Sequence, residues 1–437
     1  MSLVEIAALL LAFMFLLLAG GVWIAFTLAI VGWACFAFFT GTPPGKNLFT
    51  AFWSSGSSWT LAALPMFVWM GEILFRTRLS REMFDGLAPW LNRIPGRLMH
   101  VGILGCGIFG SVSGSSAATC ATVAKVTLPE LMKRGYDEKV ALGSLATAGT
   151  LGILIPPSIT MVVYAVAADA SIIRIFLAGF IPGLILMALF SGYIVVWALL
   201  NPDKTPPPGP PMSFIEKVKA SGNLIPVTLL IVFIVWVLVK GIASATECAA
   251  YGVLGSLAIA GWSGSLTWRN FWGSLLSATR VSCMIMIILA GASYMSLAMG
   301  FTGIPRALAE WVAGMQLSPY TLIAVLAVLY VVLGTALDGI SMIVLTSAVV
   351  LPMIQKAGFD LVWFGIFIVL MVEIAEVTPP VGFNLFVLQN MTGRDSNYIA
   401  MASLPFFAML VVTIALITAF PETVTWLPDT VMGAEKK

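Results

Sequence analysis

The sequence predicts an all-α polytopic membrane protein made of two inverted-topology repeats, each with about five spans and a re-entrant helical hairpin. Three observations carry that prediction. First, 60% of the 437 residues are hydrophobic and only 10% are charged, more apolar surface than a soluble chain can hide. Second, one stretch occurs twice. Residues 110–158 read GSVSGSSAATCAT, LPELMKRGYD and GTLGILIPPS, and residues 334–382 read GTALDGISMIVLT, LPMIQKAGFD and EIAEVTPPVG. Leu128/Leu351, Pro129/Pro352, Lys133/Lys356, Gly135/Gly358, Asp137/Asp360 and Pro156/Pro379 each stand 223 positions apart, and only the polar tips slip by one, Gly110 pairing with Gly334. Third, basic residues are distributed very unequally between the copies.

In order along the chain, residues 1–200 form the first repeat. Leu3 to Leu18 and Val22 to Phe39 are spans meeting at Gly20-Gly21, followed by a polar loop with Pro43, Pro44 and Lys46 and a third span at Ser58 to Phe75. Arg76 to Arg97 mixes apolar and cationic residues, as a helix lying in the membrane interface does. Val101 to Leu131 is too interrupted for one ordinary span and reads as a re-entrant hairpin turning at Gly110 to Ser115, a backbone break tolerated at depth only inside protein or beside a wet cavity. Val140 to Val166 is a span broken near Gly149 to Pro157, and Ile172 to Leu200 completes the repeat. Asn201 to Ser221, with five prolines between Pro206 and Pro211, is expected to be a stiff, extended linker. Residues 222–437 repeat the plan: spans near 224–239, 246–264 and 281–299, an amphipathic piece at 305–316, a hairpin at 321–351, a broken span at 362–388 and a last span at 399–420.

From Arg76 through Lys139 there are nine Lys and Arg, whereas the window 223 positions later contains only Arg306 and Lys356. The positive-inside rule then places the mouth of the first hairpin on the cytoplasmic side and that of the second outside. An odd number of full spans per half inverts the second copy independently. The same count makes the linker cytoplasmic and puts both termini outside.

Several function classes are excluded by composition. A net charge of +2 gives no sign of a nucleic-acid partner. The five cysteines lie singly in apolar sequence and read as packing residues, and with His100 the sole histidine there is no histidine-based catalysis or metal chemistry. An enzyme needs a nucleophile with a positioned base, which the scattered acids do not supply. A channel needs a continuous polar lining, yet the polar residues gather at two tips. Repeated helix breaks in apolar sequence are the pattern of secondary transporters, whose sites lie at the repeat interface.

The candidate site residues follow from those tips. Ser111, Ser113, Ser115, Ser116 and Thr119 with Gly110 and Gly114 bring oxygen donors and flexible backbone together, suited to Na⁺, a hard ion. Bare helix N-ends at the break suit an anionic group. Gly149, Thr150, Pro157 and Ser158 mark the first broken span; Thr378, Pro380 and Asn384 mark the second, where proline frees carbonyls one turn earlier. At the second tip Asp338 stands with Thr335, Gly339, Ser341 and Thr346, and a carboxylate at membrane depth is costly and usually functional. Glu373 and Glu376 share one helical face, so one of them is expected to be protonated or paired with a cation. The expected Na⁺ set is Ser111, Ser113, Ser115, Ser116, Gly149 and Thr150 on one side, with Asp338, Gly339, Ser341 and Thr378 on the other. The expected substrate set is Gly114, Thr119, Pro157, Ser158, Thr335, Glu376, Pro380 and Asn384.

The motifs GSVSGSSAAT, LPELMKRGYD, GTLGILIPPS, GIASATE (241–247) and TPPVGFNLF (378–386), in this order over essentially the whole chain, resemble the large membrane subunit of a tripartite ATP-independent periplasmic (TRAP) transporter. The resemblance implies a Na⁺-driven importer of small organic anions, typically carboxylates, in a bacterial inner membrane. It also implies a small membrane subunit and a periplasmic substrate-binding protein as partners, and an elevator motion of a transport domain against a scaffold. A sole-acting carboxylate symporter of the same inverted plan is the rival. The family's hairpin aspartate falls on Asp338 and its acid before the T-P-P on Glu373; Glu376 departs from the pattern, standing where an apolar residue is expected. No further group of spans precedes Met1 or follows Lys437, so the small subunit is expected as a separate chain. Both hairpins and both broken spans are expected in the transport domain, and the first two spans of each half, with 172–200 and 399–420, in the scaffold.

Overall fold

The computed structural model describes residues 3–77, 79–207, 212–222, 224–315, 318–335, 337–379 and 382–433. It is all-α. The first half comprises α1 (Leu3–Ala19), α2 (Ile24–Phe39), α3 (Pro44–Gly56), α4 (Ala63–Phe75), α5 (Leu79–Leu91), α6 (Met99–Ser113) and α7 (Ser116–Lys133). It continues through α8 (Glu138–Ala148), the single turn α9 (Leu151–Leu154), α10 (Ile159–Ala167) and α11 (Ile172–Leu200). The second half comprises α12 (Phe214–Ala220), α13 (Ile225–Val239), α14 (Ala245–Trp262), α15 (Trp268–Thr302) and α16 (Ile304–Gly314). After these come α17 (Pro319–Gly334), α18 (Gly339–Lys356), α19 (Leu361–Glu376), α20 (Phe383–Thr392), α21 (Ser396–Ala419) and α22 (Glu422–Met432).

The duplicated motif has a structural cause. Both ends of α7 are matched in α18 at a spacing of 223, and α8 and α19 begin at that same spacing. Lys133 and Lys356 stand in the last turns of α7 and α18, complementing the helix dipole. Gly135 and Gly358 follow in the left-handed region, at φ +81° and +82°, where a side chain is strained. Asp137 then accepts from Val140 N at 3.1 Å and Asp360 from Val362 N at 2.7 Å, capping α8 and α19. The shared residues are thus a stop signal and a start signal, and LPELMKRGYD contributes no group to the site.

Four expectations need correction. The polar loop after α2 is in fact helix α3: Pro44 occupies a first-turn position where its missing N–H costs nothing, and Phe49 and Trp53 are exposed on its surface. In the second half the counterpart of α3 and α4 is unbroken, since α15 runs for 35 residues, about 50 Å, rather than as a span over 281–299. The linker is not extended throughout: residues 208–211 lie outside the described residues, but Ser213 and Glu216 form a capping box that starts α12. Trp90 of α5 then meets it, its Nε1 donating to Ser221 Oγ at 2.8 Å. Finally α22 follows the last span, held by the Arg174–Asp429 ion pair at 3.0 Å.

The helices form two groups. One interlocks the halves around α15, which packs on α2, α3 and α4, with α14 on α4 and α13 on α14. The other gathers α6 to α11 and α17 to α22, and across it α20 of one half packs on α7 of the other, as α10 packs on α18. The helices at 172–200 and 399–420 lie in the second group: α11 packs chiefly on α22 and α21, and α21 chiefly on α8 and α11. Small residues explain that choice, as they do between membrane helices generally. A Cβ on Gly143 of α8 would lie 2.1 Å from Ala402 O of α21, and one on Gly179 of α11 would lie 2.6 Å from Leu154 O. Amphipathic α5 and α16 connect the groups. Between them an apolar cavity of about 640 Å³ is lined by Leu10, Met14, Met299, Ile304, Leu333 and Val349 among others.

Gly143→Val drives a side chain into the backbone of α21, and overpacking of this kind costs about 1–3 kcal/mol. The expected outcome is a lowered unfolding midpoint of purified protein in mixed micelles, with Gly192→Ala, which meets nothing within 4 Å, unchanged.

Candidate functional site

The first hairpin turns in two residues. α6 ends on Gly114 at φ +59°, whose N–H returns to Gly110 O at 2.8 Å. A Cβ at Gly114 would lie 3.0 Å from Ile159 N at the start of α10, so both the dihedral and the approach of the broken span require glycine. Ser115 then opens α7 with extended backbone, and no side chain caps that helix. Its first N–H groups therefore point into the break unmatched by any capping oxygen. Hydroxyls close the turn. Ser113 Oγ and Thr119 Oγ1 are 2.6 Å apart, Thr119 donates to Ser115 O at 2.7 Å, and Ser111 donates to Ile108 O at 2.8 Å. A hydroxyl that donates to a carbonyl keeps its lone pairs for another partner.

The second hairpin is closed by charge instead. Asp338 caps α18, accepting from Ser341 N at 3.3 Å and from the Ser341 hydroxyl. Gly339 packs against Val372 of α19, where a Cβ would lie 2.2 Å from Val372 Cγ1. Thr335 donates to Val332 O at 2.7 Å and is partly exposed; no hydrogen bond joins it to the residues below.

The two broken spans bring the tips together. The chain bends by 46° between α8–α9 and α10, where Ser158 donates to Ile153 O at 2.7 Å and caps α10. Thr150 donates to Thr147 O at 2.7 Å, and Thr378 to Ile374 O at 2.6 Å. Asn384, in the first turn of α20 and wholly buried, bonds Ser116 Oγ through its Nδ2 at 2.9 Å and its Oδ1 at 3.1 Å, and donates to Ala146 O at 2.8 Å. It therefore joins the second broken span to the first hairpin and the first broken span. Gly149 allows this, since a Cβ there would lie 3.1 Å from Asn384 Nδ2 and 2.7 Å from Cys120 Cβ. Glu376 is the last residue of α19, whose Val372 packs against Gly339 of the second hairpin. One turn earlier Glu373 is 0% exposed. Neither Glu373 oxygen, nor Glu376 Oε2, has a hydrogen-bond partner among the described residues.

Of the sequence candidates, Ser116, Gly149 and Asn384 are brought together, with Ser113, Ser115 and Thr119 closing the turn beside Ser116 and Thr150 following Gly149; Asp338, Gly339 and Ser341 stand at the second tip against α19, which ends on Glu376. Pro157 lines an apolar cavity of about 190 Å³ against Phe176 of α11 and Leu238 of α13. Pro380 lies outside the described residues. One participant was missed, the carbonyl of Ala146, which carries no side-chain signal; Cys120, read as packing, is buried against Gly149.

Two discontinuous spans, two hairpins and polar groups focused between them define a polytopic secondary-transport subunit. The comparisons agree. The family model described as "Tripartite ATP-independent periplasmic transporter, DctM component" matches residues 11–423. The C4-dicarboxylate TRAP transporter large permease protein DctM of Pseudomonas aeruginosa is 30% identical over 389 residues, covering 88% of this chain and 90% of that one. The ectoine TRAP transporter large permease protein TeaC of Halomonas elongata is 29% identical, covering 92% and 93%. Among solved structures, the YdaH transporter of Alcanivorax borkumensis superposes with a TM-score of 0.61 at 11% identity over 88% of this chain and 90% of that one, a likeness of fold alone. This chain belongs to the DctM family, the large permease component of TRAP transporters.

Asn384→Leu keeps the branched outline of the side chain but removes all three hydrogen bonds, leaving Ser116 and Ala146 O buried without them, a cost of about 1–3 kcal/mol per unmet group. A thermal midpoint below wild type by several degrees is expected; an unchanged midpoint shows that Asn384 does not hold the halves together.

Proposed function

We propose that the chain is the membrane-spanning subunit of a Na⁺-coupled, binding-protein-dependent importer of a small organic acid, working by an elevator motion in a bacterial inner membrane. The observation that carries it is the meeting of both hairpins on the second broken span: Asn384 bonds Ser116 of the first hairpin, and Gly339 of the second packs against Val372 of α19. Binding at such a point orders both tips at once, so ion and substrate binding reinforce each other. In this mechanism Na⁺ is a co-substrate taken between each hairpin tip and the nearest broken span. Ser113, Ser115, Ser116 and Thr150 supply oxygens on one side; Asp338, Ser341 and Thr378 supply them on the other. The substrate carboxylate meets the uncapped start of α7 and its hydroxyls.

The apolar cavity between the two helix groups supports the elevator motion. Apolar side chains can slide past one another without exposing unmatched hydrogen-bonding groups. The moving body comprises α6 to α11 and α17 to α22, and the static one α1 to α4 and α13 to α15. A separate small membrane subunit docks on the static group, and a periplasmic binding protein delivers the cargo. The charge asymmetry between the hairpins supports an orientation with both termini periplasmic.

The test is uptake in proteoliposomes containing both membrane subunits and the binding protein. Asp338→Asn is expected to raise the Na⁺ concentration for half-maximal uptake about tenfold, and Ser115→Ala by a smaller factor. Wild-type Na⁺ dependence in both variants removes these residues from the ion site, and uptake without the binding protein favours a sole-acting symporter.

A further inference from the structure

The linker between the halves ends in α12, which packs on α5. Trp90 Nε1 of α5 donates to Ser221 Oγ at 2.8 Å, and Ser221 donates in turn to Gly86 O at 2.8 Å. The Trp90 ring meets Phe214 edge-on at 5.7 Å and lies under the Lys217 ammonium at 5.5 Å. Gly86 allows the approach, since a Cβ there would lie 3.3 Å from Ser221 Cα. Beyond the end of α5, Arg97 donates to Pro206 O of the linker. These contacts fix the rotation of α12 about its own axis.

That rotation leaves an apolar face uncovered. Phe214, Ile215 and Val218 are 70%, 67% and 38% exposed, and at about 100° per residue they fall within one side of the helix. Lys217 and Lys219 flank that side, one at each edge, while Glu216 stands opposite and is occupied in the capping box. Lys219 is exposed and forms no ion pair among the described residues. Residues 76–97, which include α5, add five arginines against Glu82 and Asp85, so the clasped pair of helices is positively charged.

The surroundings indicate what covers the face. The axis of α12 meets that of α13 at 77°, and α13 exposes Ile225, Leu229 and Val232, as a helix bordering lipid does. A helix nearly perpendicular to such a span lies along the membrane plane. An exposed apolar side flanked by lysines is the pattern that settles at the boundary of headgroups and acyl chains. We infer that α12 is an interfacial anchor. Phe214, Ile215 and Val218 enter the leaflet on the linker's side, and Lys217 and Lys219 meet the phosphates of anionic phospholipids there. The linker is thereby fixed to the bilayer as well as to α5.

The experiment uses the full-length chain with the small membrane subunit in vesicles. Cys283 is the one exposed cysteine, so a Cys283→Ser background carrying Ile215→Cys takes an environment-sensitive fluorophore on the apolar face. Asp203→Cys, exposed on the linker, is the control. In phosphatidylcholine vesicles with about one third phosphatidylglycerol, the label at 215 is expected to be quenched by spin-labelled lipid. It is also expected to be shielded from aqueous iodide about fivefold more than the label at 203. Omitting phosphatidylglycerol is expected to reduce that shielding, as is Lys219→Gln, with Lys219→Arg restoring it. Iodide quenching at 215 equal to that at 203 would place the face in water, and protection from both quenchers would place it against protein. Either result overturns the inference, as does shielding that is unchanged without phosphatidylglycerol or in Lys219→Gln.

Discussion

Unpaired backbone cannot be left facing lipid, and the whole arrangement depends on that constraint. Each half of the chain interrupts its helices at the hairpin tip and in the following span, exposing N–H and C=O groups that a bilayer cannot satisfy. The halves solve this for each other. Asn384 of the second half bonds Ala146 O and Ser116 of the first, while α10 of the first half packs on α18 of the second. Neither half alone provides the partners, so the breaks are stable only where the halves meet, and the polar site is confined there.

The two tips are equivalent in sequence position but not in chemistry. The first closes with hydroxyls and a left-handed glycine, leaving the start of α7 uncapped; the second closes with an aspartate that fills the start of α18. Duplication thus supplied two similar frames, which the residues at the tips close by different chemistry.

Much of the site was legible because helix breaks at depth are rare and chemically marked. Gly114, Asp338, Thr150 and Asn384 stand out in apolar sequence, and the spacing of 223 ties their surroundings together. The misreadings have physical causes. Pro43-Pro44 looks like a loop, yet a proline in the first turn is compatible with a helix, so α3 was missed. Proline-rich composition masked α12, whose start depends on a two-residue capping box. Which neighbours α11 and α21 take was not legible, because hydropathy is blind to partners: the close approach of Gly143 to Ala402 decides where α21 packs.

By itself the sequence determined the membrane class, the duplication, the places where helices stop and start, and the excess of acid over base at the breaks. These are local or additive properties, set by burial, capping and dihedral preference. Only the tertiary structure decided which breaks touch, that Glu373 is buried with no hydrogen-bond partner among the described residues, and that α11 and α21 pack in the group that holds the hairpins. Those depend on close contact between segments more than a hundred residues apart, settled by glycine clearances and a few buried hydrogen bonds.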